Sequence, residues 1–168
     1  ECNPAAIIAA IHFLLYQRGK RMSVMMPYSF QLKDLADWYR QLWAESLGKR
    51  FDRQGGEVFV GPTPIKALGA TDQHSQIQLY REGPNDKVIT FLEVERFERD
   101  VPIPRGISGV PELEYLCGAS FGRLLSSEKR ATEQALVDSR RPCLTVRFPA
   151  VVPYTVGQFI YLYEADVA

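Results

Sequence analysis

Four short apolar segments limit the possible folds of this 168-residue chain more than any other feature of its sequence. They are residues 23–26 (Ser-Val-Met-Met), 58–60 (Val-Phe-Val), 87–94 (with Val-Ile-Thr-Phe-Leu at 88–92) and 144–148 (Leu-Thr-Val-Arg-Phe). Segments this short and apolar are typical of strands that are covered on both faces, as in the interior of a parallel sheet. Because segments of helical periodicity alternate with them, the sequence predicts one α/β domain over residues 1–168 with a mainly parallel sheet.

The helices that connect these strands have recognisable ends. Asn3 and Pro4 are a capping residue and a first-turn proline ahead of an apolar helix over 5–17, and Gly19 is placed to end it. A second helix is predicted over 31–47. Residues 112–139 are expected to form one long helix, or a pair broken at Gly118 and Gly122, and a last helix covers 154–164. The remaining segments 50–56 and 61–64 are predicted as a loop and a turn.

Composition excludes several classes of function. The formal net charge is zero, so nothing in the charge balance favours nucleic acid or an anionic membrane as a partner. The longest apolar run, Ala5–Tyr16, is interrupted by His12 and is too short to cross a bilayer. Three widely spaced cysteines (Cys2, Cys117 and Cys143) form no CxxC pattern and are interpreted as free or buried thiols in a reducing cytoplasm.

No cofactor and no metal are expected. The sequence contains neither of the glycine-rich phosphate-binding motifs, and its two histidines have no neighbouring cluster of carboxylates or thiols. His12 lies on the apolar first helix and is interpreted as a core or boundary residue, not as a ligand.

The second helix carries a first candidate site. Gln41 and Glu45 are one turn apart and point the same way, in the segment QLWAESLGK that ends at Lys49. A carboxylate beside an amide can move a proton between adjacent carbons of a bound substrate. The alternative is an ordinary solvated helix face.

The segment Gly69–Gly83 (GATDQHSQIQLYREG) carries a second candidate site. Thr71 or Asp72 is expected to cap a helix, which places His74 in its first turn. The positive end of the helix dipole disfavours an imidazolium there, so His74 is suited to acid–base chemistry near pH 7. The alternative is a surface histidine at an ordinary helix start.

Taken together, four stretches resemble glucose-6-phosphate isomerase, in particular the second sugar-isomerase (SIS) domain of its bacterial members. They are 3–6 (NPAA), 41–49 (QLWAESLGK), 69–83 (GATDQHSQIQLYREG) and 153–164 (PYTVGQFIYLYE). The two middle stretches are the specific ones, and together the four span nearly the whole chain. The resemblance implies a doubly wound, three-layer α/β/α sandwich on a mainly parallel sheet.

The resemblance also implies a role for each matching residue. Glu45 matches the catalytic base that moves a proton between C2 and C1 through a cis-enediol, and Gln41 matches the active-site glutamine one turn before it. His74 matches the histidine that assists opening of the sugar ring and that is supplied to the neighbouring subunit's site, which implies a homodimer. Lys49, Thr71 and Gln73 lie within the same motifs and are expected to contact the sugar phosphate.

Two departures from the family pattern qualify this expectation. Family members continue to a segment with a further catalytic lysine, and they begin with a first SIS domain that carries a phosphate loop and an active-site arginine. The chain is therefore expected to be excised from a two-domain, cytoplasmic glycolytic enzyme and to be inactive alone. Surfaces that face the missing parts are expected to be apolar and to self-associate, with four candidates: Trp38, Trp43, Phe159 and Tyr163.

Two other interpretations remain open. The chain can be a non-catalytic SIS-type module that binds a sugar phosphate and regulates or assembles without chemistry. The parent can also be a fusion of this domain with another sugar-phosphate enzyme such as a transaldolase. The joint presence of Gln41, Glu45 and His74 favours an enzyme.

Overall fold

The computed structural model describes residues 3–105 and 110–168 of the chain. The described helices are α1 (Pro4–Gln17), α2 (Lys33–Leu47), α3 (Gln73–Glu82), α4 (Phe121–Asp138) and α5 (Pro153–Val167), with 3₁₀ turns at Phe30–Leu32 and Pro111–Leu116. The described strands are β1 (Met22–Pro27), β2 (Lys49–Phe51), β3 (Glu57–Val60), β4 (Thr63–Lys66), β5 (Lys87–Arg96) and β6 (Cys143–Ala150).

Four of these strands form a parallel sheet in the order β4-β1-β5-β6. Met22 of β1 pairs with Thr63 of β4 on one side and with Lys87 of β5 on the other. The chain therefore adds a strand to one side of β1 and then continues on the opposite side. The predicted α/β fold with a mainly parallel sheet is confirmed.

Helices cover both faces of this sheet. Met25, Leu92 and Phe148 point to one face and pack against α2 and α5. On the other face, Val24 and Phe91 pack with residues of α3 and α4. Alternate side chains of the two central strands, β1 and β5, thus enter different cores, which is why these strands contain long apolar runs. The result is the expected three-layer α/β/α sandwich.

The edge strand of the sheet differs from the prediction. Val58–Val60 is extended as predicted, but it belongs to an exposed antiparallel hairpin made by β2 and β3. The strand at this edge of the parallel sheet is Thr63–Lys66, which begins inside the segment 61–64 that is predicted as a turn; β6 is the other edge strand. Pro64 favoured the turn, yet a proline is compatible with an edge strand because its missing N–H can face away from the neighbouring strand.

Most predicted helix boundaries are confirmed. The side chain of Asn3 accepts a hydrogen bond from the backbone N–H of Ala5 at 3.0 Å, and Gly19 has a φ of +86° just after α1. The region after residue 110 is not one long helix: a 3₁₀ turn at Pro111–Leu116 is followed by α4, so the second predicted alternative, a broken pair, is confirmed. Gly118, with a φ of +79°, lies in the break. Gly122 is not a break, because it lies in the first turn of α4.

The expectation of exposed aromatic surfaces was wrong for the residues it named. Trp43, Phe159 and Tyr163 are buried between α2, α5 and the sheet, and Trp38 is half-buried against the ring of Phe159 at 6.1 Å. These rings fill the space between the two helices and the sheet, so the domain needs them for its own core. Exposed apolar side chains occur instead on α1 and on the β2–β3 hairpin, among them Phe13, Leu14, Phe51 and Phe59.

None of the helices in residues 3–105 and 110–168 is long and apolar enough to cross a membrane. Within the same ranges Cys117 and Cys143 form no disulfide. Cys2 lies outside the described residues.

We expect Phe159→Ala to lower the free energy of unfolding by about 3–5 kcal/mol, because it leaves a cavity among packed rings. The matched control is Tyr161→Ala on the same helix, where the ring is 75% exposed and the change should stay within about 0.5 kcal/mol. Urea unfolding of both variants measures the difference. Equal losses in the two variants would contradict the placement of Phe159 in the core.

Candidate active site

The α2 helix presents Gln41 and Glu45 on its outer side. Tyr39 and Trp43 of the same helix are buried against the sheet, so the positions two residues further on face outward. Both Gln41 and Glu45 are exposed. Neither side chain has a hydrogen-bond partner within the described part of the chain, so both are available to a ligand.

Two glycines bring the end of α2 close to the start of β4. A Cβ on Gly61 would lie 3.0 Å from both the Cα of Gly48 and the carbonyl oxygen of Leu47. Gly61 also has a φ of +140°, which side-chain-bearing residues rarely adopt. Because β4 begins at Thr63, this contact places Glu45 near the edge of the sheet where the strands begin. Lys49, also exposed, opens the hairpin just after α2.

A carboxylate holds the loop that leads into α3. The backbone N–H of Leu68 donates to Oδ2 of Asp72 at 2.7 Å, and the hydroxyl of Ser75 donates to Oδ1 at 2.9 Å. Asp72 does stand at the N-cap position, as one of the two predicted candidates. Its side chain makes no bond to a helix N–H, because the loop and Ser75 occupy its oxygens.

His74 lies in the first turn of α3, as predicted, and is exposed. Its neighbour Gln73 is tied to the next helix, because the side-chain amide donates to the hydroxyl of Thr132 on α4. Thr71 is exposed in the turn before the helix.

The loop before α3 is fixed at the other edge of the sheet, where the strands end. The N–H of Gly69 donates to the carbonyl of Pro27, the last residue of β1, at 3.0 Å. Glycine is required there because a Cβ would lie 2.4 Å from the ring of Tyr28. The start of α3, and with it His74, is therefore positioned by the end of β1.

The structure thus brings the predicted residues together in two separate groups. Glu45 and Lys49 lie near the starting edge of the strands, before and after the end of a helix on one face of the sheet, and Gln41 lies one turn before Glu45 on that helix. Thr71, Gln73 and His74 lie at the opposite edge, where α3 on the other face begins. The length of β1 alone separates the edges by roughly 17 Å. Glu45 and His74 of one chain therefore cannot contact the same small substrate.

A cavity that the sequence did not reveal lies between α1, α2 and α5. Its volume is about 380 Å³. Three buried polar side chains reach it without a hydrogen-bond partner among the described residues: His12, Trp43 and Asp166. The interpretation of His12 as a core or boundary residue is confirmed, since it is buried. The sequence did indicate that Asp166 faces inward, because it follows the buried Phe159 and Tyr163 at helical spacing.

Burial shifts both ionisable groups of this cavity toward their neutral forms. Desolvation lowers the pKa of His12 from 6.5 to about 4. The same cause raises the pKa of Asp166 from 3.8 to about 7. Nδ1 of His12 lies 3.8 Å from Oδ2 of Asp166, which is too long for a hydrogen bond. With a neutral imidazole, the two groups do not form an ion pair near neutral pH.

Similar proteins were found by sequence and by structure. No family model matches the chain. Over 166 residues, 99% of the chain, it is 58% identical to a protein named glucose-6-phosphate isomerase from Carboxydothermus hydrogenoformans. It is 41% identical, again over 99% of its length, to a probable glucose-6-phosphate isomerase from Methanococcus maripaludis. The chain spans 36% and 35% of these two relatives, or about a third of their length.

Two solved structures share the fold. A hypothetical protein from Thermus thermophilus superposes with a TM-score of 0.87 at 38% identity, covering 95% of this chain and 37% of that one. A glucose-6-phosphate isomerase from Chlamydia trachomatis superposes with a TM-score of 0.80, covering 99% of this chain and 33% of that one; at 21% identity it supports the fold alone.

The parallel sheet and its two helix layers define an α/β/α protein with chemistry-bearing residues at both edges of the sheet. Within that class, the chain is similar to about a third of two proteins named as glucose-6-phosphate isomerases, the family that its motifs resemble.

We expect Gly69→Ala to destabilise the fold by about 1–3 kcal/mol, because the new methyl group collides with the ring of Tyr28. Gly157→Ala on α5 is the matched control: its Cβ would meet no atom within 4 Å, and alanine is the better helix former by about 1 kcal/mol. Urea unfolding should show opposite signs for the two variants. A neutral Gly69→Ala would disprove the close contact.

We expect Asp166→Asn to be more stable than the unchanged protein at pH 8, with a gain that shrinks as pH falls. The unfolded chain loses the Asp166 proton near pH 3.8 and the folded chain only near pH 7, so folding is penalised increasingly as pH rises across that range. His12 acts in the opposite direction, since its shift costs stability as pH falls from 6.5 toward 4.

Thermal unfolding at several pH values tests this expectation. The free energy of unfolding of the variant should rise as pH increases from 4 to 6.5, because the shifted pKa of His12 is then the only one of the two that remains. The difference in stability between the variant and the unchanged protein should level off above pH 7. Glu164→Gln, an exposed change on the same helix, serves as the control. An advantage of Asp166→Asn that is constant at all pH values would contradict the buried, uncompensated carboxylate.

Proposed function

We propose that the chain is the part of a glucose-6-phosphate isomerase that supplies the catalytic base and the ring-opening histidine. The reaction is the interconversion of glucose 6-phosphate and fructose 6-phosphate in glycolysis and gluconeogenesis. The observation that carries the proposal is the pair Gln41 and Glu45, which are exposed and unengaged in the second half of a helix whose other side is packed in the core. The 58% identical relative supports it.

Glu45 acts as the base in this proposal. Its carboxylate takes the proton from C2 of the open-chain aldose, and the freed electron pair forms the C1–C2 double bond while the aldehyde oxygen O1 takes up a proton, which gives a cis-enediol. The proton on Glu45 then passes to C1 while the hydroxyl on C2 loses its proton, which gives the ketose. One base must reach both carbons, which a carboxylate on a rigid helix can do. Gln41, one turn away, positions the substrate with its amide, and Lys49 extends the same exposed surface.

His74 assists ring opening, which requires a group that accepts a proton from one sugar oxygen and donates one to another near neutral pH. Its place at the start of α3 disfavours the imidazolium form. Thr71 and Gln73 of the same segment contact the sugar phosphate. Because Glu45 and His74 of one chain lie at opposite edges of the sheet, a site that contains both needs two copies. We therefore propose a homodimer in which each subunit supplies His74 to the other's site.

The same proposal assigns the chain to the SIS type and its parent to the cytoplasm. The chain spans about a third of its relatives, and we expect the phosphate-binding residues and a further catalytic lysine to come from outside it. The competing function is a non-catalytic module that binds a sugar phosphate. Activity measurements on a reconstituted enzyme separate the two functions.

The first experiment is a chimera in which this chain replaces the matching 166 residues of the Carboxydothermus relative. We expect isomerase activity in a coupled assay, and we expect Glu45→Gln to lower kcat by about 10²- to 10⁴-fold, the scale for loss of a positioned proton-transfer group. The substitution keeps the shape of the side chain and removes the base, so the substrate should still bind.

Asp34→Asn removes an exposed carboxylate from the other end of α2 and should leave kcat unchanged. The chain tested without the rest of the enzyme should show no turnover. Unchanged turnover of the Glu45→Gln chimera would mean that another residue is the base, and a folded chimera that binds substrate without activity would favour the non-catalytic module.

Mixing two inactive variants tests the shared site. When Glu45→Gln and His74→Ala chimeras are unfolded together and refolded, half of the dimers are mixed, and each has one site with both residues intact. Activity should return to about a quarter of the unchanged level if each site combines two subunits. If the activity of the refolded mixture does not exceed the summed activities of the two separate variants, both residues act from the same chain.

A further inference from the structure

The cavity between α1, α2 and α5 contains a carboxylate without a partner. The side chain of Asp166 is 1% exposed, and both of its oxygens lack a hydrogen-bond donor among residues 3–105 and 110–168. A buried charge of this kind is costly unless it is paired. The cavity leaves room beside it for a partner that is not part of the described protein.

The groups that face Asp166 do not neutralise it. His12 on α1 is a neutral imidazole near pH 7, and its ring contacts that of Trp43 at 4.9 Å. Tyr39 on α2 and Tyr163 on α5 have pKa values raised by burial, so both stay neutral and contribute no positive charge. No lysine or arginine of the described residues lines the cavity.

The rest of the wall is apolar and aromatic. Phe13 and Tyr16 of α1, Leu47 of α2, Val60 at the end of β3 and Pro62 just before β4 line the space. The hydroxyl of Tyr16 is already engaged, because it accepts the N–H of Gly61 at 3.1 Å. A volume of about 380 Å³ with apolar walls and a few convergent polar atoms is typical of a small-molecule site.

We propose that this cavity binds an ammonium or amidinium cation on a small apolar stem, with Asp166 as its counter-ion. The N–H groups of the cation donate to both oxygens of Asp166, and one of them can donate to the unprotonated nitrogen of His12. The stem packs against Phe13, Leu47 and Pro62. Glu45 is not among the residues that line the cavity: Trp43 and Leu47 face it, while the side chain of Glu45 is exposed.

Calorimetric titration with benzylamine and its neutral analogue benzyl alcohol tests the proposal at about pH 8. Benzylamine should bind saturably and at least about tenfold more tightly than the alcohol, since only the amine offers a charged donor to a buried carboxylate. Asp166→Asn should remove that preference, whereas Glu164→Gln should preserve it. Equal affinity for the two compounds, no saturable binding of benzylamine, or an unchanged preference in Asp166→Asn would overturn the proposal.

A second measurement does not depend on a variant. The ¹³C shift of the Asp166 carboxyl carbon, followed with pH in the unchanged protein, should show a lower midpoint when benzylamine is present, because the cation favours the ionised form. An unchanged midpoint would count against the site. Nα-acetyl-lysine N-methylamide, titrated in parallel, distinguishes the source of the cation: binding tighter than that of benzylamine supports the proposal with a lysine side chain as the source, weaker binding supports it with a free amine, and absence of benzylamine binding overturns it in either case.

Discussion

The packing of aromatic rings between α2, α5 and the sheet is the interaction on which the rest of this structure depends. Tyr39 contacts Trp43 at 4.9 Å and Tyr163 at 5.4 Å, while Phe159 contacts Tyr163 at 4.7 Å. Each such pair adds about 0.5–1.5 kcal/mol beyond the area it buries. The hydroxyl of Tyr39 is also hydrogen-bonded to Ser23 of β1 at 2.6 Å, so α2 is tied to the central strand by packing and by a polar contact.

This packing determines where the candidate chemistry occurs. Glu45 lies between Trp43 and Leu47 in sequence, so its backbone is held by residues that face inward while its side chain is exposed. A proton transfer between adjacent carbons tolerates little displacement of the base. A helix locked by aromatic rings is therefore better suited to carry that base than a loop, and the same argument applies to His74, which the end of β1 positions through Gly69.

Sequence periodicity was sufficient for the layers of the fold but not for its edges. Strands buried on both faces leave a continuous apolar pattern, so the central strands β1 and β5 could be located directly, and the apolar residues of β6 were sufficient to locate that edge strand as well. The edge strand β4 was missed because Pro64 and the exposed side of an edge strand remove that pattern. The hairpin strand at Val58–Val60 has the same composition as a core strand, and only the pairing of β2 with β3 distinguishes it.

The candidate sites show a similar division. The positions of Glu45 near a helix end and of His74 in a first helix turn could be predicted, because helix starts and helix ends are local properties of a sequence. The absence of a partner for Asp166 could not, because its environment is made by His12 and Trp43, which are distant in the chain and meet only after folding. A charge on an apolar stripe is thus ambiguous in the sequence alone. Whether such a charge is paired depends on the residues that the facing helices place beside it. Here α1 places only the neutral imidazole of His12 beside Asp166.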